Sequence, residues 1–187
     1  MDDERLRAVT IGELTPYQTK VVIEDYNLAW PSWYEWDRAR IAPALGETAL
    51  SMEHVGSTSV PGLPAKPIID ILLQVPDSTD EDSYVPALEA LGYVLRIREP
   101  DWLEHRLARR RAEPPHDVNL HVFSPTYAEE EITRMLSFRN WLRTHDDDRD
   151  RYAATKRELS TKEWRYMQHY AEAKTEIVEE ILAKALP

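Results

Sequence analysis

The sequence predicts an α+β fold: a mixed β-sheet core flanked by helices, followed by a C-terminal helical extension. Six short segments in the first two thirds of the chain have the alternating or apolar patterns of strands, with two helical patterns among them. From residue 126 onwards the patterns are helical. The strict alternation of strand and helix that a parallel doubly wound sheet needs is missing. We therefore expect one domain over 1–187, with the sheet core at about 18–125 and the helical part at about 126–187.

The first half of the chain contains the segments that we expect to form the centre of the sheet. Residues 20–26 (KVVIEDY) and 48–55 (TALSMEHV) are predicted to be strands, and residues 31–45 between them have the apolar spacing of a helix. Residues 67–75 (PIIDILLQV) are apolar on both faces apart from Asp70. That pattern is typical of a central strand that is covered on both sides.

A short helix and three strands are expected next. Residues 85–92 are predicted to form the helix, which ends at a glycine. Residues 93–99 and 102–110 alternate in the manner of two paired strands. Residues 118–124 (VNLHVFS) alternate again, so we expect them to form a further strand of the same sheet.

Three helices are expected after the sheet. Thr126 and Glu129 have the spacing of a capping box, which predicts the start of the first helix. Residues 146–150 (DDDRD) are interpreted as a charged break between helices. Two more helical stretches are expected, at about 151–161 and 164–186.

Composition restricts the class of protein. The 187 residues include no cysteine, so disulfides and thiolate metal sites are excluded. The formal net charge of −11 disfavours attraction to nucleic acid, and no sequence-specific nucleic-acid binding is expected. The charged start MDDERLRAV lacks the apolar core of a secretory signal, and no apolar run approaches the ~20 residues that span a bilayer. We expect a cytoplasmic protein without a membrane partner.

A single carboxylate in the predicted central strand is the first indication of a functional site. A charge that is buried alone is costly, so Asp70 needs a cation, hydrogen-bond donors or a metal ion. Lys66 is one candidate partner, and a divalent metal ion carried by a phosphate ligand is another. The preceding turn, Gly56-Ser57-Thr58, allows close backbone approach and offers donors to phosphate, although an ordinary turn has the same composition.

The stretch HVGSTSVPGLPAKPIIDI (54–71) closely resembles the signature of the GrpB (UPF0157) family, a branch of the nucleotidyltransferase-fold superfamily. Other segments that match the family pattern are VIEDYNLAWP (22–31), NLHVF (119–123), FRNWLR (138–143) and the pairs Tyr152–Lys156 and Tyr170–Lys174. The resemblance covers nearly the whole chain and implies a nucleotidyltransferase-like fold. Related domains occur behind bacterial dephospho-CoA kinases, where a folding-accessory role has been proposed for them.

The resemblance also implies roles for individual residues. In the superfamily, a Gly-Ser pair holds nucleotide phosphates, two acids on the next strand bind metal, and a later strand supplies a third acid. By position, Gly56 and Ser57 take the phosphate turn, and Asp70 becomes the candidate ligand of a Mg²⁺ ion. The second acid would fall at Leu72, and the later strand has Asn119 and His121 where an acid is expected, with Asp117 nearby at the edge of that strand. The incomplete acid set puts two-metal catalysis in doubt. No organic cofactor is expected.

The remaining candidates have two interpretations each. His54 and Lys66 either contact phosphate or are a structural histidine and an exposed lysine. His121 is a metal ligand, a general base or the ion-pair partner of Asp70. Arg139 either reaches an anion or covers neighbouring aromatic rings with its stem. The expected ligand-binding set is completed by Thr58, Tyr152, Lys156, Tyr170 and Lys174. The last four form two i, i+4 pairs, a spacing that also fits solvated helix faces.

Three functions from different classes follow. The first is nucleotidyl transfer, in which an acceptor attacks the α-phosphate of a Mg²⁺-bound nucleotide, with Asp70 and His121 as the candidate catalytic residues. The second is a catalytically degenerate module that binds a nucleotide or CoA-like ligand, or assists the folding of a protein partner. The third is a plain interaction protein. The basic cluster within 106–111 is either a solvated strand end or a patch that attracts a phosphate-rich ligand. We expect a nucleotide or another phosphorylated small molecule as the ligand.

Overall fold

The structure, a computed structural model, describes residues 2–16, 20–111 and 116–186. Its α+β architecture confirms the predicted fold class. In chain order the main elements are α1 (Asp3–Val9), α2 (Trp30–Leu45), β1 (Ser51–Val55), β2 (Ile68–Gln74), α3 (Val85–Ala90), β3 (Val94–Glu99), β4 (His105–Arg110), β5 (Asp117–Phe123), α4 (Pro125–Thr144), α5 (Asp146–Ser160), α6 (Met167–Glu172) and α7 (Thr175–Ala185). Within the described ranges no helix is both long enough and apolar enough to cross a membrane.

The five strands form one mixed sheet in the order β1-β2-β5-β4-β3. β2 is parallel to β5 and antiparallel to β1, and the pairs β4–β5 and β3–β4 are antiparallel. β2 is therefore a central strand, as its sequence predicts. In this register Asp70 is opposite Asn119, and Asn119 is opposite Arg109. Because directly paired residues point to the same side of a sheet, these three side chains form a row on one face.

The opposite face of the sheet carries the main core. Helices α2 and α3 cover it, and Pro31 occupies the first turn of α2, a position where proline is favoured. Buried residues that build this core include Trp30, Tyr34, Ile41, Leu45, Ile69, Ile71, Leu73, Val118, Leu120 and Val122. This layer stabilises the sheet, and the face with Asp70 is not part of the main core.

The face with Asp70 is covered only at its margins. Helix α4 packs over one end of the sheet, where Leu72 and Phe123 are fully buried. Helix α1 packs over the far edge through Val9. Helices α4, α5 and α7 pack together against the loop between β1 and β2. The polar side chains in the middle of this face are therefore surrounded on several sides but are not covered by another layer of the protein.

The predicted strand over 20–26 is wrong. In the structure this segment is extended but makes a single bridge, between Glu24 and Ala65. Each of these two residues donates its N–H to the other's carbonyl oxygen at 2.9 Å. Pro64 and Pro67 flank the bridge in the facing loop, and since proline has no N–H, the ladder cannot continue.

The starts of two helices also differ from the prediction. The side chain of Ser124 caps α4 by accepting the Thr126 N–H at 3.2 Å, and Pro125 takes the first helical position. The helix therefore begins before the expected Thr126–Glu129 box. Residues 146–150 begin α5 instead of breaking the helices, because three aspartates in a first turn complement the helix dipole.

Two further boundaries were misplaced. Strand β4 begins at His105, later than the predicted 102–110, because Leu103 and Glu104 have positive φ angles of 58° and 52° and form a turn. The predicted helix over 164–186 is two helices, α6 and α7. The patterns in the sequence showed where apolar faces lie but not where the backbone turns between them.

Candidate functional site

The turn after β1 lies directly against Asp70. Gly56 has φ 68° and ψ −172°, a backbone region that is essentially restricted to glycine. A Cβ added at Gly56 would lie 3.0 Å from the Cβ of Asp70 and closer still to its Oδ2. A short 3₁₀ turn follows over Ser57–Ser59, and the Ser59 hydroxyl donates to the Gly56 carbonyl at 2.6 Å. Glycine is thus required here both by the backbone and by the carboxylate.

The Asp70 carboxylate is held from one side and open on another. Asn119 donates its amide N–H to Asp70 Oδ1 at 2.8 Å, and His121 Nε2 lies 3.9 Å from the same oxygen. Burial acts to raise the pKa of Asp70, but His121, Asn119 and the charge of Lys66 outweigh it and hold the pKa below its ordinary value. With 29% of its side chain exposed, this ionised carboxylate faces solvent-accessible space.

Two lysines flank Asp70 and share one aromatic ring. Lys66 Nζ lies 5.4 Å, and Lys174 Nζ 4.8 Å, from the centre of the Tyr170 ring. Burial, followed by repulsion from Lys174, lowers the pKa of Lys66 to about 8, and burial also lowers the pKa of Lys174. Neither ammonium group has a hydrogen bond or salt bridge within the described part of the chain. Both are therefore partly desolvated cations that an added anion would pair with.

A hollow of about 110 Å³ lies between the glycine turn and the C-terminal helices, and we call it the phosphate hollow. Its lining residues are Gly56, Ser57, Val60, Asp70, Phe138, Arg139, Leu142, Tyr152 and Lys174. Burial raises the pKa of Tyr152 to about 12, with Ser57 acting in the opposite direction, so the Tyr152 hydroxyl keeps its proton. Hydroxyl groups, the basic side chains of Arg139 and Lys174 and one carboxylate thus meet in a small space.

Arg139 and Lys156 hold the walls of this region together. Arg139 Nη1 donates to Glu53 Oε2 at 2.7 Å and to the His54 carbonyl at 2.9 Å, which ties α4 to β1. Lys156 is 2% exposed and donates to the Pro64 carbonyl, which ties α5 to the loop before β2. Burial and nearby cations lower the pKa of Lys156 to about 6, so it is mostly neutral at pH 7. The charge of Arg139 is paired, and Lys156 brings little charge to the hollow.

His54 and Thr58 do not line the phosphate hollow. The His54 ring stacks on Tyr34 at 4.9 Å, and its Nε2 lies 3.0 Å from Thr58 Oγ1. The Thr58 hydroxyl donates to the Ile68 carbonyl at 3.3 Å, so it accepts the proton of Nε2. Burial lowers the pKa of His54 to about 4. This geometry is that of a neutral histidine which packs the turn against α2.

His121 ends a chain of polar contacts that the sequence did not reveal. Its Nδ1 lies 3.2 Å from His105 Nε2, and His105 Nδ1 lies 2.7 Å from Glu99 Oε2. Because the Glu99 carboxylate accepts the proton of His105 Nδ1, His105 Nε2 is left to accept the proton of His121 Nδ1. Burial lowers the pKa of His105 to about 4, so this ring stays neutral. The chain leaves His121 Nε2, on the side of Asp70, free to accept a proton.

The basic cluster within 106–111 is divided between the two faces of the sheet. Arg106 and Arg110 point to the core face, where Arg110 pairs with Asp37 at 2.7 Å. Arg109 and Arg111 belong to the face with Asp70. The alternation of a strand produces this division, so the period of two in the sequence could have predicted it.

Arg109 and Arg111 line a larger space of about 670 Å³, which we call the arginine cleft. It lies on the other side of the Asp70–Asn119 pair from the phosphate hollow, and Lys66 and Asn119 are on its wall. Arg96 on β3 contributes a third guanidinium group. Arg96 could not be grouped with the other two from the sequence, because the pairing of β3 with β4 brings them together.

Comparison with known proteins decides the family. The model of the GrpB protein family matches residues 20–184, which is most of the chain. The chain belongs to the GrpB family. It is 55% identical over 183 residues to a UPF0157 protein of Halalkalibacterium halodurans, an alignment that covers 98% of this chain and 91% of that protein. The expected family resemblance is thereby confirmed.

A solved structure and a longer relative extend this comparison. The crystal structure of the conserved protein GrpB from Enterococcus faecalis is similar to this GrpB-family chain with a TM-score of 0.77 and 30% identity, over 88% of this chain and 97% of that one. A dephospho-CoA kinase of Mycolicibacterium paratuberculosis is 30% identical over 151 residues, which covers 68% of this chain and 37% of the kinase. The fold is therefore shared with the Enterococcus faecalis protein, and the sequence is similar to part of a dephospho-CoA kinase.

The residues around Asp70 do not fit a Mg²⁺ ion held by the GrpB-family protein alone. No group of three or more His, Asp or Glu side chains converges as a metal site within the described ranges. Leu72, at the position of a second acid, is fully buried among apolar side chains. The Asn119 carbonyl oxygen already accepts from Arg111 at 3.0 Å. Since Mg²⁺ is usually held by carboxylates and phosphates, an ion here would depend on oxygens that a ligand supplies.

Most of the residues predicted for the site converge in this GrpB-family structure. Those that surround Asp70 or the phosphate hollow are Gly56, Ser57, Lys66, His121, Arg139, Tyr152, Tyr170 and Lys174. His54, Thr58 and Lys156 are placed behind it as structural contacts. The residues that sequence reasoning missed are Glu99, Arg96 and His105, whose roles depend on strand pairing.

Proposed function

We propose that this GrpB-family protein binds a phosphorylated small molecule, such as a nucleotide, with a phosphate group in the phosphate hollow. The observation that carries this proposal is the ammonium group of Lys174, which lines the hollow without a hydrogen bond or salt bridge to any described residue. Lys66, across the Tyr170 ring, adds a second unpaired cation. An oxyanion would pair with charges that are already partly removed from water, which strengthens the attraction.

The turn and the hydroxyl groups supply the hydrogen bonds that a phosphate needs. Gly56 permits close backbone approach, and Ser57 and Tyr152 bring hydroxyl groups to the hollow. Asp70 by itself repels a phosphate, but it also acts to raise the pKa values of Lys66 and Lys174, which burial lowers. A divalent ion that arrives with the ligand would bridge the phosphate and this carboxylate, so binding is to be measured with and without Mg²⁺.

The size of the hollow limits which part of a ligand it takes. Pockets that enclose whole small molecules measure roughly 300–1,000 Å³, whereas this one measures about 110 Å³. It has room for a phosphate group, and the rest of the ligand must lie outside it. A nucleotide or a CoA-like molecule satisfies this requirement equally well, because each carries phosphates at one end of a larger body.

The test is a calorimetric titration of the whole chain with ATP, GTP or CoA, each with and without Mg²⁺. Replacing Lys174 by Gln removes the charge in the hollow, and we expect the affinity to fall roughly tenfold or more, because hydrogen bonds to charged groups are strong. The matched control is Lys162→Gln, since Lys162 is 52% exposed and pairs with Glu158 at the surface. The control is expected to bind as the unchanged protein does.

Two results would overturn the proposal. One is that none of the three ligands binds, and the other is that Lys174→Gln and Lys162→Gln bind them with the same affinity as the unchanged protein. Release of pyrophosphate in the same samples separates nucleotidyl transfer from binding alone. A binding module without transfer is the second candidate function, and it is favoured by Leu72, which replaces an acid with a buried apolar side chain.

A further inference from the structure

We infer that the arginine cleft is a second binding site, which takes a small molecule with two or more neighbouring oxyanions, either phosphates or carboxylates. The cleft measures about 670 Å³, which lies within the range of pockets that enclose small molecules. It lies over β3, β4 and β5 on the face of the sheet with Asp70. The inference does not depend on what occupies the phosphate hollow.

The charge of the cleft lining is opposite to that of the protein. Its described cations are Lys66, Arg96, Arg109 and Arg111, whereas its carboxylates are Glu13 and Asp117. The whole chain has a formal net charge of −11, so an excess of cations in one concave space is a local feature and not a consequence of composition. Concave walls of low polarizability focus the field of such charges and attract ligands of the opposite sign.

Arg109 is the central feature of this site. No hydrogen bond or salt bridge joins its guanidinium group to any described residue, and its Nε is buried without a partner. Buried polar groups in folded proteins nearly always have partners, so this donor calls for one from outside the chain. Burial, together with Arg111 and Arg96, lowers the pKa of Arg109 to about 10, and it remains charged at neutral pH. Its planar fork matches carboxylate and phosphate oxygens.

The neighbouring arginines are held in position while they keep most of their charge. Arg111 donates to the Val118 carbonyl and to Asn119 Oδ1, each at 3.0 Å, and Asp117 lies 3.5 Å from its Nε. Arg96 Nη2 donates to the Glu13 carbonyl at 3.1 Å. Neutral oxygens make most of these contacts, so they orient the guanidinium groups without cancelling them. Fixed cations of this kind lose little conformational freedom when an anion binds.

Several cations around one cleft call for a ligand with more than one anionic group. A single monoanion could pair with Arg109 but would leave the charges of Arg96 and Lys66 without an ion-pair partner. Pyrophosphate presents adjacent phosphates, and citrate presents adjacent carboxylates. These two probes distinguish the two sources of the shared oxyanion chemistry, and sulfate serves as a probe with a single centre.

The test is calorimetric titration of the whole chain with pyrophosphate, citrate and sulfate at low ionic strength. We expect pyrophosphate or citrate to bind at least tenfold more tightly than sulfate, and Arg109→Gln to weaken that binding at least tenfold. The matched control is Arg38→Gln on α2, which removes the charge of a 50% exposed arginine that pairs with Glu35. Lys174→Gln tests the phosphate hollow, and for an anion in the arginine cleft we expect it to weaken binding less than Arg109→Gln does.

Thermal unfolding without ligand provides a second readout. Since Arg109 lacks partners in the free protein, Arg109→Gln is expected to unfold at the same temperature as the unchanged protein or at a higher one. The inference is overturned if neither polyanion binds, if Arg109→Gln weakens binding no more than Arg38→Gln, or if Lys174→Gln is the variant that abolishes it. The last result would place the anion in the phosphate hollow and would leave the proposed function intact.

Discussion

Replacing Gly56 by Ala tests the close approach of the turn to the carboxylate. The added Cβ would lie 3.0 Å from the Cβ of Asp70, and a φ of 68° is unfavourable for any L residue. Two costs therefore add: a backbone cost of about 1–3 kcal/mol for this conformation and an overpacking cost of about 1–3 kcal/mol against Asp70. We expect the free energy of unfolding to fall by about 2–6 kcal/mol.

A second glycine separates these two costs. Gly46 also has a positive φ, 54°, but a Cβ added there would meet nothing within 4 Å. Gly46→Ala should therefore lose the backbone part alone, about 1–3 kcal/mol. The steric part that the carboxylate causes is isolated by making Gly56→Ala in a protein that already carries Asp70→Ala, which removes the carboxylate oxygen nearest to the new Cβ and keeps the Asp70 Cβ. In that background the loss should shrink by about 1–3 kcal/mol.

The assay is urea denaturation of the unchanged protein, Gly56→Ala, Asp70→Ala and the double variant. The slope of the free energy of unfolding against urea concentration is compared among the four, to confirm that it does not change. Coupling between the two positions below about 0.5 kcal/mol, the usual limit of additivity, would refute the reasoning. So would a Gly56→Ala variant that is no less stable than Gly46→Ala. Either result would mean that the turn does not lie against Asp70 as described.

Two further predictions concern the charges around this turn. Lys156 has a pKa of about 6 when folded and about 10.4 when unfolded, so the unfolded chain binds more protons between these pH values and stability rises with pH. Lys156→Met should flatten that rise in denaturation curves from pH 6 to 9. A slope that does not change would contradict the burial of Lys156 at Pro64. Asp70 acts to raise the pKa of Lys66, so Lys66 loses its proton at a lower pH in Asp70→Asn. In titrations, this variant should therefore weaken nucleotide binding more at pH 8 than at pH 6. Tighter binding at both pH values would show that repulsion between Asp70 and the phosphate dominates.

The centre of the fold could be predicted because the order of apolar and polar residues in one segment shows which of its side chains are buried. An apolar run interrupted by Asp70 is recognisable as a central strand with a special position, and the structure places this strand between β1 and β5. Gly56 in the preceding turn could be predicted for the same reason, since no other residue suits a positive φ beside a carboxylate. The strand and the glycine turn depend mainly on neighbouring residues in the sequence, so a short stretch of sequence is enough to predict them.

The arginine cleft could not be predicted as a site, because it depends on contacts between distant strands. Arg96 and Arg109 are brought together by the pairing of β3 with β4, and Asn119 joins them through the pairing of β4 with β5. In the sequence, Arg109 is one of several neighbouring arginines, and its lack of a partner is visible only in the folded chain. The register of a sheet is set by the whole core, which no single segment contains.

Asp70 lies between the lysines beside the phosphate hollow and the arginines of the arginine cleft. Its charge favours the protonated forms of Lys66, Lys174 and Arg109, all of which burial acts to neutralise. A second carboxylate beside these cations would reduce their attraction for an external anion. One acid among several desolvated cations suits the capture of anions, whereas a cluster of acids suits the capture of metal ions.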